Sequence, residues 1–243
     1  MSIPIFNCFK SKQQKPRNKI IVFANQKGGA GKTTNCVLFG NTLIEHKHPF
    51  VLIDGDPQRS IVKKHEQDHE RFPDLEPLYQ IYASDLDNEQ RTMELVNAMR
   101  EEDYDFVVDT PGNLSLEGML PLLFAADAII TPIQLEKTCI NSTNSFIETL
   151  LMCAKETGTE DLPPIYFIPN QYNKGWGRKD ELQERQKDLD YYNGIGRVTP
   201  KVPNAAEIQR YNTLFMTDRQ KEILAPCHNF LLERIYNEQI TKK

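Results

Sequence analysis

The stretch NQKGGAGKTT, residues 25–34, sets two lysines, Lys27 and Lys32, around three glycines. It follows the apolar run IIVFA (20–24) and opens an amphipathic stretch, so a strand leads into the turn and a helix leaves it. A glycine-rich turn in that position lets backbone N–H groups converge on an anion, and the helix N-terminus adds partial positive charge. In such a cradle Gly28, Gly29, Ala30 and Gly31 supply backbone donors, and Lys32 reaches the terminal phosphates of a nucleotide. Thr33 can place its hydroxyl on Mg²⁺, and Thr34 can bond the first phosphate. The strict spacing G-x-x-x-x-G-K-[ST] is not met, because no glycine stands five residues before Gly31. An incidental glycine-rich turn is the competing explanation, and the flanking strand and helix argue against it.

Further along, FVLIDGD (50–56), DFVVDT (105–110), AIITPI (128–133) and IYFIPN (165–170) repeat the short apolar pattern. Continuous runs of Ile, Val and Phe suit strands buried on both faces of a parallel sheet. The segments between them predict helices over 32–46, 59–70, 88–101, 115–125 and 136–157. Strands alternating with helices of this length need right-handed crossovers, which predicts an α/β fold with a doubly wound, mostly parallel sheet flanked by helices. Residues 71–87, with Pro73 and Pro77, read as a loop. Beyond residue 170 the pattern predicts a helix over 178–190, a Gly/Pro-rich stretch over 193–204, and closing helices over 204–211 and 219–240. One domain over 19–243 is expected, preceded by a flexible arm over 1–18 that contains most of the basic KSKQQKPRNK.

Carboxylates stand at two of the strand ends. LIDGDPQRS carries Asp54 and Asp56 where ligands bind in open α/β sheets, and alternation along an extended strand would aim both the same way. DFVVDTPGN ends in Asp109, placed to hold Mg²⁺ directly or through water, with Gly112 giving the next loop freedom to move. Solvated aspartates in ordinary turns are the alternative.

Together KGGAGKTT (27–34), DGDPQ (54–58) and DFVVDTPG (105–112) resemble the motifs of the ParA/MinD family of deviant Walker A, P-loop ATPases. The resemblance covers about residues 19–235 and is closest to the short ParA-type partition ATPases. It implies ATP and Mg²⁺ as ligands and a homodimer formed on ATP binding. The extra lysine, Lys27, would reach across the dimer interface to the phosphates held by the partner protomer. Asp56 would orient or deprotonate the attacking water, and Asp54 would lie nearer the metal. The implied catalytic set is Lys27, Lys32 and Asp56, and the metal set is Thr33, Asp54 and Asp109. Asn170 would bond the adenine, and Pro200 would line the base. The family usually carries glycine after the glutamine of this second motif; this chain carries Arg59.

Other branches of the family fit less well. Cys139 has no partner cysteine suited to a shared iron–sulfur cluster, and one phosphate loop argues against a fused arsenite-pump type. NEQITKK lacks a C-terminal tyrosine cluster. CHNFLLERIYNEQITKK, diluted by Glu233 and Glu238, reads as a helix packed on the domain more than as a membrane-surface helix. No stretch before the first strand is long enough for a helix-turn-helix, so operator-specific repression is not expected.

Bulk properties bound the partners. The chain has 243 residues, a net charge of -5 and five cysteines, none in a CxxC pair, which suits a reducing cytoplasm rather than a disulfide or zinc framework. MSIPIFNCF has the wrong order of charge and length for a secretory signal, and MLPLLFAADAIITPI is broken by Pro121, Asp127 and Pro132. A cytoplasmic protein is expected, nucleoid-associated in its ATP state. Residues 171–221 hold ten Lys/Arg against seven Asp/Glu, a balance of +3, while the remainder holds nineteen against twenty-seven, or -8. Non-specific DNA is therefore an expected partner, through Lys174, Arg178, Lys179, Arg185, Arg197, Lys201 and Arg210. A solvated helix of mixed charge explains the same residues. Trp176, between two glycines, would mark a partner contact or a loop anchor. The resemblance also implies a small partner protein that stimulates hydrolysis. A MinD-like membrane-associated positioning ATPase, or a nucleotide-binding scaffold or regulator with little turnover, is the alternative function.

Overall fold

The structure, a computed structural model, describes residues 18–112, 116–159, 162–173, 175 and 178–237. Elements run in the order β1 (Ile20–Phe23), α1 (Lys32–Glu45), β2 (Phe50–Asp54), α2 (Ser60–Arg71), β3 (Gln80–Ala83), α3 (Glu89–Arg100), β4 (Asp105–Asp109) and α4 (Leu116–Ala125). They continue with β5 (Ala128–Ile133), α5 (Lys137–Thr157), β6 (Ile165–Pro169), α6 (Lys179–Ile195), β7 (Arg197–Val198), α7 (Ala206–Gln209) and α8 (Asp218–Ile235). The strands form one parallel sheet in the order β3-β2-β4-β1-β5-β6-β7, the expected doubly wound α/β fold.

Alternation along each strand feeds two cores. Ile20 and Val22 of β1 face Val96 and Met99 of α3, Leu122 of α4, and Phe146 and Leu150 of α5. Ile21 and Phe23 face the other way, onto Val37 and Phe39 of α1 and Leu224 and Leu231 of α8. Helices on both faces leave the central strands fully buried, which explains their unbroken apolar runs.

The sequence reading differs from the structure at the sheet margins. The segment read as a loop over 71–87 contains β3, which pairs in parallel with β2 through Leu52 opposite Ile81. As an edge strand it is exposed at both ends, so it needs no continuous apolar run. β7, inside the Gly/Pro-rich stretch, has only two residues and closes the other edge. α6 continues past the expected end at 190 to Ile195, because buried Tyr192 stacks on Phe167 and donates to Asn144 Oδ1 at 2.8 Å. α8 stops at Ile235 and not near 240, and Asn237 has a positive φ of 56°. Asn18, placed in the arm by sequence, is buried and donates to Met99 O at 2.6 Å. The rest of the arm, residues 1–17, lies outside the described residues, as do Lys174 and Trp176.

The apolar side of α8 is turned inward, with Leu224, Cys227, His228, Leu231, Leu232 and Ile235 buried. Among the described residues no helix is long and apolar enough to cross a membrane. The described cysteines, Cys36, Cys139, Cys153 and Cys227, are all free.

His228 carries a pH consequence. It sits between Thr42 Oγ1, 2.7 Å from Nδ1, and the edge of Phe39, and its Nε2 has no hydrogen-bond partner. Burial, with the His46 charge adding, pushes its pKa down to about 3. In the unfolded chain a histidine titrates near ~6.5, so below that pH the unfolded state takes up a proton that the folded state refuses. The folded state is therefore undisturbed above ~6.5 and loses stability as pH falls toward about 3. Between pH ~6.5 and ~5 the loss from this group is about 2 kcal/mol. Denaturant melts across that window should show a shallower pH slope in His228→Gln than in the parent.

Candidate functional site

The loop between β1 and α1 lies at the carboxyl edge of the sheet, and its glycines are conformational necessities at two positions. Gly29 and Gly31 have φ of 79° and 93°, the left-handed region. A Cβ on Gly31 would also stand 2.1 Å from the amide nitrogen of Asn170. α1 starts at Lys32 with no side-chain cap, so its first N–H groups are left for an anion. Three side chains brace the loop from outside. Asn25 accepts from Lys27 N at 3.2 Å while donating to Pro132 O at 2.8 Å. Asn170 Nδ2 donates to Ala30 O at 2.9 Å, and Gln134 Nε2 to Gly29 O at 3.0 Å.

Lys32 folds back into this cradle and is only 7% exposed. Its ammonium lies 3.3 Å from where a Gly112 Cβ would be, so the loop after β4 packs beside the phosphate loop. Burial lowers the Lys32 pKa, opposed by the charges of Asp109 and Asp56. Thr33 Oγ1 donates to Asp109 Oδ2 at 2.7 Å. Asp109 is fully buried, and its other oxygen, Oδ1, has no hydrogen-bond partner. Burial pushes this carboxyl up to about 7; Asp54 and Asp56 add to the shift, while the Thr33 bond and the Lys32 charge oppose it. An orphaned carboxylate oxygen beside a hydroxyl is a hard-oxygen donor set, and it fits Mg²⁺. Among the described residues no three His, Cys, Asp or Glu side chains form a group able to hold a metal by themselves. That agrees with an ion held by few protein ligands together with phosphate oxygens.

Asp54 and Asp56 sit in different settings, although both charges act on Asp109. β2 ends at Asp54, and the chain then turns, with Arg59 N donating to Asp56 O at 2.9 Å. Strand alternation therefore does not extend to Asp56. Asp54 lies beside Asp109 in register, fully buried, but its oxygens accept from backbone: Ile61 N at 2.9 Å, Val62 N at 3.1 Å and Asp56 N at 3.3 Å. It caps α2 from the preceding strand. Asp56 is half-buried, and its Oδ1 accepts from Gln58 N at 2.8 Å.

Lys27 is half-buried between exposed Gln26 and Gly28 at the outer rim of the loop. Burial pushes the Tyr211 hydroxyl up to about 12, with nearby Thr34 opposing the shift. Pro200 lies in the segment beside the end of β6, where Val202 N donates to Pro169 O at 2.9 Å. The cleft there is lined by Gln134, Asn170, Tyr172, Arg185 and Asn204, and not by Pro200. Tyr211 and Gln134 escaped the sequence reading. Gln134 had a usable signal, directly after a strand ending in Pro-Ile, whereas Tyr211 reaches Thr34 from a distant loop and had none.

The basic candidates do not form one stripe. Along α6 Arg185 is interleaved with Glu181, Glu184, Asp188 and Asp190. Arg197 sits in register with Tyr166 at the start of β7, whereas Lys201 lies beyond the end of that strand with its ammonium 4.1 Å from the Tyr172 ring. Arg178 and Arg210 are exposed, and the side chain of Lys179 lies outside the described residues.

A parallel sheet whose central strand feeds a glycine loop, with lysine, threonine and a buried aspartate gathered behind it, defines a P-loop nucleotide-binding protein. The CobQ/CobB/MinD/ParA nucleotide binding domain matches residues 21–213, and the chain belongs to that family. It is 29% identical over 164 residues to the chromosome-partitioning ATPase Soj of Treponema pallidum, covering 54% of this chain and 63% of that one. The chain spans less than two thirds of the length of several curated relatives that it matches. Its fold is similar to that of Cyanothece McdA in a complex with ATP, with a TM-score of 0.70 and 15% identity over 94% of this chain and all of that one. It is also similar to pNOB8 ParA bound to nonspecific DNA, with a TM-score of 0.61 and 14% identity over 91% of this chain and all of that one. At these identities the likeness to the solved structures is one of fold.

Proposed function

We propose that this chain is an ATPase that dimerises on ATP and, in that state, holds DNA without reading its sequence, so as to position or segregate DNA. The observation that carries the reading is the loop itself: Lys32, Thr33 and Asp109 gathered behind it and a second lysine, Lys27, at its rim. Lys32 and the loop amides would bind the triphosphate. Thr33 and Asp109 would hold Mg²⁺, with Asp54 adding charge beside Asp109; when bound, the ion offsets negative charge on the phosphates. Asp56 would orient water for attack on the γ-phosphorus and take its proton as the bond to the ADP oxygen breaks. Asn170 and Pro200 would flank the base.

Lys27 would neutralise phosphate charge across a dimer interface, which makes ATP part of the contact. Two modest basic surfaces on one dimer raise the effective concentration of the second DNA contact, so avidity would follow the ATP state. The family membership, the partition ATPase relative and the DNA-bound fold neighbour support this reading. A small partner protein that stimulates hydrolysis and a cytoplasmic, nucleoid-associated location belong to the same proposal.

Sedimentation of the parent and Lys27→Gln with ATP and a non-specific duplex tests it. The parent should dimerise and bind duplex in a salt-sensitive way, and Lys27→Gln should keep ATP yet lose both. A Lys27→Gln protein that dimerises and binds duplex like the parent would overturn the mechanism.

A further inference from the structure

The turn that carries Asp56 is held by a residue outside the phosphate and metal sets. Arg59 has φ 52° and ψ 46°, a left-handed conformation that a β-carbon disfavours. Its side chain gives a reason for that conformation. Arg59 Nη1 donates to Asp54 O at 2.8 Å and to Ser84 O at 2.9 Å, and Nη2 pairs with the Asp85 carboxylate. The guanidinium thus spans the carboxyl ends of β2 and β3 and the loop beyond. A planar fork with five donors in fixed geometry can meet these three separated acceptors at once.

The same turn is gripped on its other side. Gly55 N donates to Asp109 O at 2.9 Å, and a Cβ on Gly55 would come within 2.6 Å of that oxygen. Asp54 caps the first turn of α2. Residues 55–59 are therefore stretched between β4 and the β3 edge, with Asp56 in the middle. Asp85 is 54% exposed, so its ion pair alone would hold little, and the two carbonyl bonds carry the fastening.

We propose that Arg59 is a positioning residue for Asp56: by tying the 55–59 turn to Asp54, Ser84 and Asp85, it holds the carboxylate beside the water that attacks the γ-phosphorus. This rests on the ATPase reading above. Without the tie the turn samples other positions, and turnover falls while the phosphate loop, which Arg59 does not touch, still binds ATP.

The test compares the parent with Arg59→Gly, Arg59→Lys and Asp85→Asn, reading kcat and KM for ATP together with the stoichiometry of ATP binding by calorimetry. Glycine accepts the left-handed backbone without strain, so its effect isolates the lost side chain. Arg59→Gly should lower kcat at least about tenfold, with KM within about twofold and one ATP bound per chain. Arg59→Lys, which keeps charge but loses the fork, should fall nearly as far. Asp85→Asn should have a smaller effect that does not add to that of Arg59→Gly. Unchanged kcat in Arg59→Gly overturns the proposal. A loss of binding stoichiometry in step with kcat would make the residue structural, and a large rise in KM would make it a nucleotide contact; either overturns it too. A parent without turnover would instead refute the ATPase reading itself.

Discussion

Lys32→Ala should weaken ATP binding by about a hundredfold or more, measured by calorimetry with Mg²⁺ present. The ammonium is almost wholly buried beneath the loop, where it meets Gly112 and feels Asp109 and Asp56. A charged donor in so dry a place pairs strongly with phosphate, and removing one member of a buried charged pair costs about 3–5 kcal/mol, or roughly two to three and a half decades in affinity. Unchanged ATP affinity in Lys32→Ala would remove the phosphate-loop assignment and everything built on it.

Asp56→Ala should separate binding from turnover. Its carboxylate's one described hydrogen bond is to its own turn, at Gln58 N, so its loss removes the charge that Lys32 feels but none of the bonds that brace the cradle. Losing a group that positions and deprotonates water lowers the rate by about 10²–10⁴. Single-turnover hydrolysis should therefore slow by at least about a hundredfold while ATP affinity stays within a few-fold, trapping the ATP state. Parent-like hydrolysis would move the role elsewhere. Asp54 would inherit it only if its backbone bonds to Ile61 and Val62 were broken first, a cost that ranks it second.

What the sequence made legible follows from burial. β1, β2, β4, β5 and β6 are covered on both faces, so each had to be written as an unbroken apolar run. β3 and β7 border the sheet and are partly exposed, and their residues carry no such mark. The site divides in the same way. Gly29, Gly31, Lys32, Thr33 and Asp109 stand at fixed offsets from buried strands, so their arrangement could be reasoned from spacing. The bonds of Asp54 to α2 and of Asn170 to Ala30 join segments far apart in sequence or depend on how a turn folds back, and no local pattern announces them. Arg59 was visible as a departure from the family pattern, but its three acceptors come from the ends of two strands and the loop after the second.

The place of β1 in the strand order has a consequence for substitution. It has a hydrogen-bonded neighbour on each side, β4 and β5, and it alone feeds the glycine loop. One of the strands that a destabilising change can least afford to disturb is thus also the strand that sets the grip on the ligand, so folding and binding place their demands on the same residues. At the margins, β3 and β7 have one neighbour each and support neither demand so directly. Substitutions within these edge strands should therefore cost less folding stability than substitutions at the centre of the sheet, where every side chain is covered on both faces.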